Sequence, residues 1–210
     1  LPLIRYAASK GKPLIISTGM ANLEEMKTAR DTALAAGAAG VLLLHCVSSY
    51  PATFGDANVR TIPDMAARLD CPIGLSDHTP GTAAAVAAVA LGAACVEKHF
   101  TLARADGGPD AAFSLEPVEF KALVDDTKNA WAALGVAHYD VLGAERANLQ
   151  FRRSLYVTAD VKAGETLSRA NIRSVRPGAG LPPGDMDKVL GRPATRDLAR
   201  GEPLDWSMVG

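Results

Sequence analysis

Along the first two-thirds of the chain, short continuous apolar runs alternate with longer stretches in which apolar residues recur at helical spacing. The runs KPLIIST (from Lys12), GVLLLHCV (from Gly40), PIGLSDH (from Pro72) and CVEKHFT (from Cys95) have the length and composition of buried strands. A polar turn and a helical pattern follow each. Behind the first, Leu23, Met26, Ala29, Ala33 and Leu34 make one apolar stripe, and Asn22 with Glu25 predicts a capping box at its start. Further helices are expected over residues 63–69, 82–91 and about 117–134. Apolar strands alternating with helices predict a parallel sheet covered by helices on its outer face. Four such units equal half of an eight-unit barrel. A four-stranded open sheet is the alternative, but it needs a crevice of its own, and no Gly-rich nucleotide loop is present.

The pattern changes after Gly135. Residues 138–151 lack a clear period and read as a linker, and residues 1–137 as the first domain. From Arg152 to the end at Gly210, short β-branched runs are broken by Gly and Pro, which predicts a small, mainly β domain over 152–210 with a helical turn near 185–190.

In parallel α/β folds, ligands gather at the carboxyl ends of the strands. Ser17, Ser48, Tyr50, Ser76, His78 and His99 all fall there. Alternation along a strand puts Ser76 and His78 on one face, and Glu97 and His99 on one face. Neighbouring strand ends lie about 5 Å apart, so His78 and His99 can reach one divalent metal, although two imidazoles alone equally suit two unrelated polar residues. His45 has the opposite parity to Cys46, Ser48 and Tyr50, and is expected to face the helices as a structural residue. His138 is expected to be solvated. Ser17 and Ser76 each precede a turn that opens a helix, where a hydroxyl suits either a phosphate or a plain helix cap. Asp110, in the loop GGPDAAFSLEP, suits either sugar hydroxyls or the ordering of a turn.

Composition narrows the partners. Lys and Arg total 22 against 23 Asp and Glu, a formal net charge of −1, which argues against a nucleic-acid surface built on bulk positive charge. Cys46, Cys71 and Cys95 sit in apolar runs without metal-type spacing and read as reduced thiols of a cytoplasmic protein. The longest apolar stretch, residues 83–94, is too short to span a bilayer. The opening LPLIRYAASKG, without an initiator methionine, reads as the tail of a helix, so the chain is expected to begin inside a domain.

Taken in order, ISTGMANLEE, LLLHCVSSYPA, NVRTIPDMAARLDCPIGLSDHTPG, AAVALGAACVEKHFTL, GGPDAAFSLEP and RSVRPGAGLPP resemble the latter two-thirds of the sialic acid synthase family. The Gly-Gly of GGPDAAFSLEP is similar to the pseudaminic branch. The resemblance implies the C-terminal half of a TIM (β/α)8 barrel followed by an antifreeze-like (SAF, β-clip) domain. It also implies condensation of phosphoenolpyruvate with an open-chain amino-sugar aldehyde, a 6-deoxy diacetamido sugar for this branch, with release of phosphate. Other members make N-acetylneuraminate or legionaminate by the same chemistry, and a carbohydrate-binding remnant without catalysis is a further alternative. By resemblance, His78 and His99 hold a divalent metal (Mn, Mg or Co), and with Tyr50 form the catalytic set. Ser17, Ser48 and Ser76 line the phosphoenolpyruvate site, and Asp110 binds the sugar. Arg176, in VRPGAG, extends into the partner's site in a homodimer. The family's phosphate-binding lysines and catalytic glutamate belong to earlier strands.

Overall fold

Four strands follow one another across one parallel sheet: β1 (Leu14–Ser17), β2 (Val41–Cys46), β3 (Ile73–Asp77) and β4 (Val96–Lys98), in the order β1-β2-β3-β4. Between them run α2 (Leu23–Ala35), α3 (Thr61–Leu69) and α4 (Ala83–Ala90); α1 (Pro2–Ala8) precedes the sheet and α5 (Pro117–Leu134) follows it. These elements belong to a computed structural model that describes residues 1–210 as two compact units, Leu1–Val136 and Ala137–Gly210. Parallel crossovers are right-handed, so strands added always on the same side put every helix on the same face. A doubly wound sheet reverses its order at a switch point; this one does not. The first unit is half of a (β/α) barrel.

One face of the sheet carries the core. Val41, Leu43, Ile73 and Leu75 pack with Ile62, Met65 and Leu69 of α3, with Ala33 of α2, and with Leu14 and Ile16 of β1. Ala85, Leu115 and Leu123 make a second cluster that seats α4 against α5. Each fully buried Leu or Ile contributes roughly 1.5–3 kcal/mol. α2 begins as expected: the Asn22 side chain accepts from the backbone N–H groups of Glu24 and Glu25, and Glu25 accepts from the Asn22 N–H at 2.8 Å. On β1 the helices cover only the face bearing Leu14 and Ile16, and Ile15, on the other face, is 60% exposed.

The second unit is held by long-range pairing more than by long strands. β5 (Ser154–Val157) and β6 (Ile172–Val175) are antiparallel, and single bridges such as Val161–Leu198 and Ala194–Val209 close the rest. Three backbone segments meet in a ring: Leu155 N–H donates to Leu181 O, Leu181 N–H to Leu204 O, and Leu204 N–H to Leu155 O, at 2.8–2.9 Å. Only glycine fits beside that ring, since a Cβ on Gly180 would lie 2.3 Å from the Leu155 carbonyl oxygen. The helical turn is α6 (Met186–Val189). The stretch read as a linker is not wholly extended, because Gly143–Phe151 winds into a 3-10 helix whose entry is held by the Leu142 N–H on Glu145 at 2.9 Å.

At the ends of β3 and β4 an ion pair is buried on the helical side. Lys98 Nζ lies 2.6 Å from Asp77 Oδ2 with both side chains 1% exposed, and it also donates to the Thr79 carbonyl. The other Asp77 oxygen accepts from the Thr79 N–H and hydroxyl, each at 2.8 Å. Removing one partner of such a pair leaves a buried charge uncompensated. Lys98→Met is therefore expected to lower the unfolding free energy by about 3–5 kcal/mol. Asp77→Asn/Lys98→Met, which removes both charges and keeps an acceptor for Thr79, should recover most of that loss. Urea unfolding followed by circular dichroism checks both; a Lys98→Met chain as stable as the parent would refute the assignment.

Candidate active site at the ends of β3 and β4

The register of β3 and β4 aligns Ser76 with Glu97 on the face left bare by the helices. The Ser76 hydroxyl donates to Glu97 Oε1 at 2.8 Å. One pleat further along each strand stand His78 and His99, whose ring centroids are 5.2 Å apart. With Lys98 they line a cleft of about 240 Å³. A larger apolar groove of about 400 Å³ runs along α4 and α5 past Phe120 and Trp131, but its walls carry no such cluster of polar groups.

His78 is fixed from the loop that follows β2. Its Nδ1 lies 2.9 Å from the Val47 carbonyl oxygen, and its own carbonyl accepts from the Ala52 N–H at 2.9 Å. A carbonyl can only accept, so Nδ1 carries the proton and Nε2 keeps its lone pair. The loop reaches this position because Gly19 lets the turn after β1 close on it: a Cβ there would sit 2.1 Å from Ser48 Oγ and 3.1 Å from Cys46 Sγ. Tyr50, in the same loop, lies over the histidines, its ring 4.4 Å from His78 and 6.0 Å from His99.

His99 is held from the other side. The chain after β4 returns so that the Leu115 N–H donates to the His99 carbonyl and the Thr101 N–H donates to Leu115 O, both at 2.9 Å. The returning segment brings Asp110 Oδ2 to 3.7 Å from His99 Nδ1 and the Phe113 ring to 5.0 Å from the imidazole. Arg104 clasps this loop. Its guanidinium donates to Ser114 O at 3.0 Å and to both oxygens of Glu119 on α5, while Glu119 also accepts from the Glu116 N–H at 2.8 Å. The Arg104 side chain, and then the backbone N–H, hold the Glu119 carboxyl well below its ordinary value, at about 2.

The residues predicted from the sequence thus divide in two. Tyr50, Ser76, His78, His99 and Asp110 come together in and around one cleft. Ser48 lies next to them, its hydroxyl 3.8 Å from Cys46 Sγ. Ser17 ends β1 exposed on the same bare side, and its hydroxyl makes no hydrogen bond within the protein. Arg176 belongs to the second unit, where it lines a groove with Arg173 and Arg200. His45 points to the helical side and bonds the Ala57 carbonyl at 2.8 Å. Glu97 and Arg104 were not singled out as site residues; only the shared parity of Glu97 and His99 was a signal. No group of three or more His, Cys, Asp or Glu side chains converges in the geometry of a metal site. Two imidazoles, one with its free nitrogen fixed by a carbonyl, fit as part of a ligand set whose remaining positions oxygen donors would fill.

A barrel face of this kind, joined to a small β unit, defines a class of two-domain α/β protein, and comparison with known proteins agrees. The NeuB family model matches residues 1–139, and the SAF domain model matches residues 152–210. The chain belongs to the NeuB family. It is 39% identical over 204 residues to a pseudaminic acid synthase of Campylobacter jejuni, covering 97% of this chain and 60% of that protein. An N,N'-diacetyllegionaminic acid synthase of Legionella pneumophila is 34% identical, covering 100% of this chain and 60% of that protein. The crystal structure of an N-acetylneuraminic acid synthetase from Leptospira borgpetersenii superposes with a TM-score of 0.63 at 36% identity, covering 72% of this chain and 53% of that one. The chain thus spans about 60% of the length of the curated relatives it matches. No helix is long and apolar enough to cross a membrane.

The clasp on the β4 loop has a pH signature. A carboxyl with a depressed folded-state value contributes stability above its unfolded value of 4.5, and loses it as pH falls through about 2. By carbon-13 NMR, Glu119 should titrate near 2 in the parent chain and higher in Arg104→Ala, part of the way back to its ordinary value, because the Glu116 N–H bond remains. In that variant the loop amides from Ala103 to Leu115 should shift with the same midpoint. An unchanged Glu119 midpoint in Arg104→Ala would show that the guanidinium is not the clasp.

Proposed function

We propose that the protein is a pseudaminic acid synthase, condensing phosphoenolpyruvate with 2,4-diacetamido-2,4,6-trideoxy-L-altrose and releasing phosphate. The observation that carries the reading is the convergence of His78 and His99 beside Tyr50, Asp110 and Phe113, in a chain 39% identical to a protein of that name. In the reaction, C3 of phosphoenolpyruvate attacks the aldehyde carbon, water adds at C2, and the C–O bond to phosphate breaks.

His78 and His99 would hold a divalent cation, which when bound supplies Lewis-acid polarisation of the aldehyde oxygen. The Val47 carbonyl orients His78 by fixing its Nδ1 proton. The Tyr50 ring packs against His78 and shields that side of the cleft from water. Glu97, already accepting from Ser76, is placed to take or return a proton on the bare face, and its hydrogen bond leaves one carboxylate oxygen free. The hydroxyls of Ser17, Ser48 and Ser76 are donors for the phosphate and carboxylate of phosphoenolpyruvate. Asp110 accepts from sugar hydroxyls, and the apolar Phe113 beside it favours a methyl and acetyl groups over a hydroxymethyl.

A single apolar contact discriminates by only about 1–3 kcal/mol, so some turnover of related sugars is expected. In the full-length protein, phosphate release should be fastest with the 6-deoxy diacetamido altrose, slower with the legionaminate precursor and slowest with N-acetylmannosamine. His78→Ala and His99→Ala should each abolish release and weaken divalent-cation binding measured by calorimetry, whereas His45→Ala should leave that binding intact. Release confined to N-acetylmannosamine would overturn the sugar assignment, and full activity in His99→Ala would overturn the site.

The protein is further read as a homodimer in which Arg176 of each small domain completes the partner's sugar site. His78→Ala and Arg176→Ala subunits, inactive alone, should regain part of the parental rate when mixed, because one site of the heterodimer then has both groups. Absence of any recovery, with subunit exchange demonstrated by mass, would place Arg176 outside the partner's site.

A further inference from the structure

The small unit contains a groove of about 690 Å³ whose chemistry differs from that of the barrel cleft. Its walls include Tyr156 and Val157 of β5, Arg173 of β6, Arg176 just after it, and Arg200 from the turn that follows Leu198. Arg173 stands directly across the ladder from Tyr156, so its guanidinium rises from the same strip of sheet as the phenol ring. Arg153, Arg192 and Arg196 of this unit all donate side-chain bonds to protein acceptors, the last to the Glu202 carboxylate. The guanidiniums of Arg173, Arg176 and Arg200 do not, and no carboxylate lies within ion-pair distance of any of them. Thr158, on the same wall, has the buried side-chain oxygen without a hydrogen-bond partner. Three like charges gathered around one concavity repel one another, and an oxyanion that accepts from them relieves the repulsion. Guanidinium pairs carboxylate and phosphate through parallel N–H donors. The volume lies in the range of small-molecule pockets, well above that of a lone phosphate.

We propose that this groove binds a sugar-sized molecule through a carboxylate or a phosphate, with Arg173 and Arg200 as its anchoring pair and Tyr156 flooring the sugar. The inference does not depend on Arg176 reaching a partner's site, and the test leaves Arg176 unchanged. Calorimetry on the full-length protein at low ionic strength uses four probes: glucose 6-phosphate, glucuronate, inorganic phosphate and uncharged glucose. One or both sugar anions should bind more tightly than inorganic phosphate, and glucose should not bind. Which of the two sugar anions binds identifies the anionic group. Arg173→Ala/Arg200→Ala, its fold checked by circular dichroism, should weaken the sugar anion about tenfold or more, while Arg192→Ala should leave it unchanged. Any binding at the barrel cleft persists in the double variant, so the lost component reports the groove alone. Equal affinity in the parent and the double variant would overturn the proposal, as would inorganic phosphate binding as tightly as both sugar anions.

Discussion

The cleft depends on the register between β3 and β4, which is fixed from both faces at the level of the histidines. Ser76 opposite Glu97 makes a hydrogen bond on the bare face, and Asp77 opposite Lys98 makes a buried ion pair on the helical face. Strand side chains alternate between faces, so the residues that follow, His78 and His99, return to the bare face together. A slip of β4 by one residue would carry His99 to the helical side, away from His78, and part Lys98 from Asp77. The ion pair resists such a slip, because either charge left alone in the packed layer is costly.

Register brings the rings near one another, and two loops then set their orientation. The loop after β2 grips His78 through Val47 and Ala52, and the loop after β4 grips His99 through Leu115. In both, the backbone bond falls on the histidine itself or its carbonyl, so motion of the loop moves the ring. Arg104 matters for that reason although it touches neither histidine: its bonds to Ser114 and Glu119 tie the returning loop to α5, and with it Asp110 and Phe113.

Much of this was legible in the sequence because it follows from alternation. The parity of Ser76 with His78 and of Glu97 with His99, and the opposite parity of His45, need only the assumption that the runs are strands. The bare side of β1 at Ile15 follows from the same alternation in a sheet covered by helices on its outer face. The approach of Asp110 to His99, the Tyr50 ring over His78 and the Arg104 clasp were beyond reach. They arise where loops close in space, and loop closure leaves no period in the sequence. The groove of Arg173 and Arg200 is similar: the two residues lie far apart along the chain, and pairing around Leu155, Leu181 and Leu204 builds the unit that holds them.

The distribution of charge separates the tasks of the two units. On the bare face of the half-barrel, Ser17, Ser48, Tyr50, Ser76, His78, Glu97, His99 and Asp110 offer hydroxyls, imidazoles and carboxylates, but no Lys or Arg. Lys98 lines the cleft, yet its charge is met by Asp77. Under the proposed function these residues orient a neutral sugar and hold a cation, and their own side chains do not balance the charge of a phosphorylated carboxylic acid. Balancing charges belong to other groups, whereas the small unit holds three unpaired guanidiniums around one groove. The residues of the half-barrel cleft thus offer an anionic ligand hydroxyl donors without a fixed positive side chain of their own, whereas the small unit presents guanidiniums, and that asymmetry is the physical ground of the binding role proposed for the second unit.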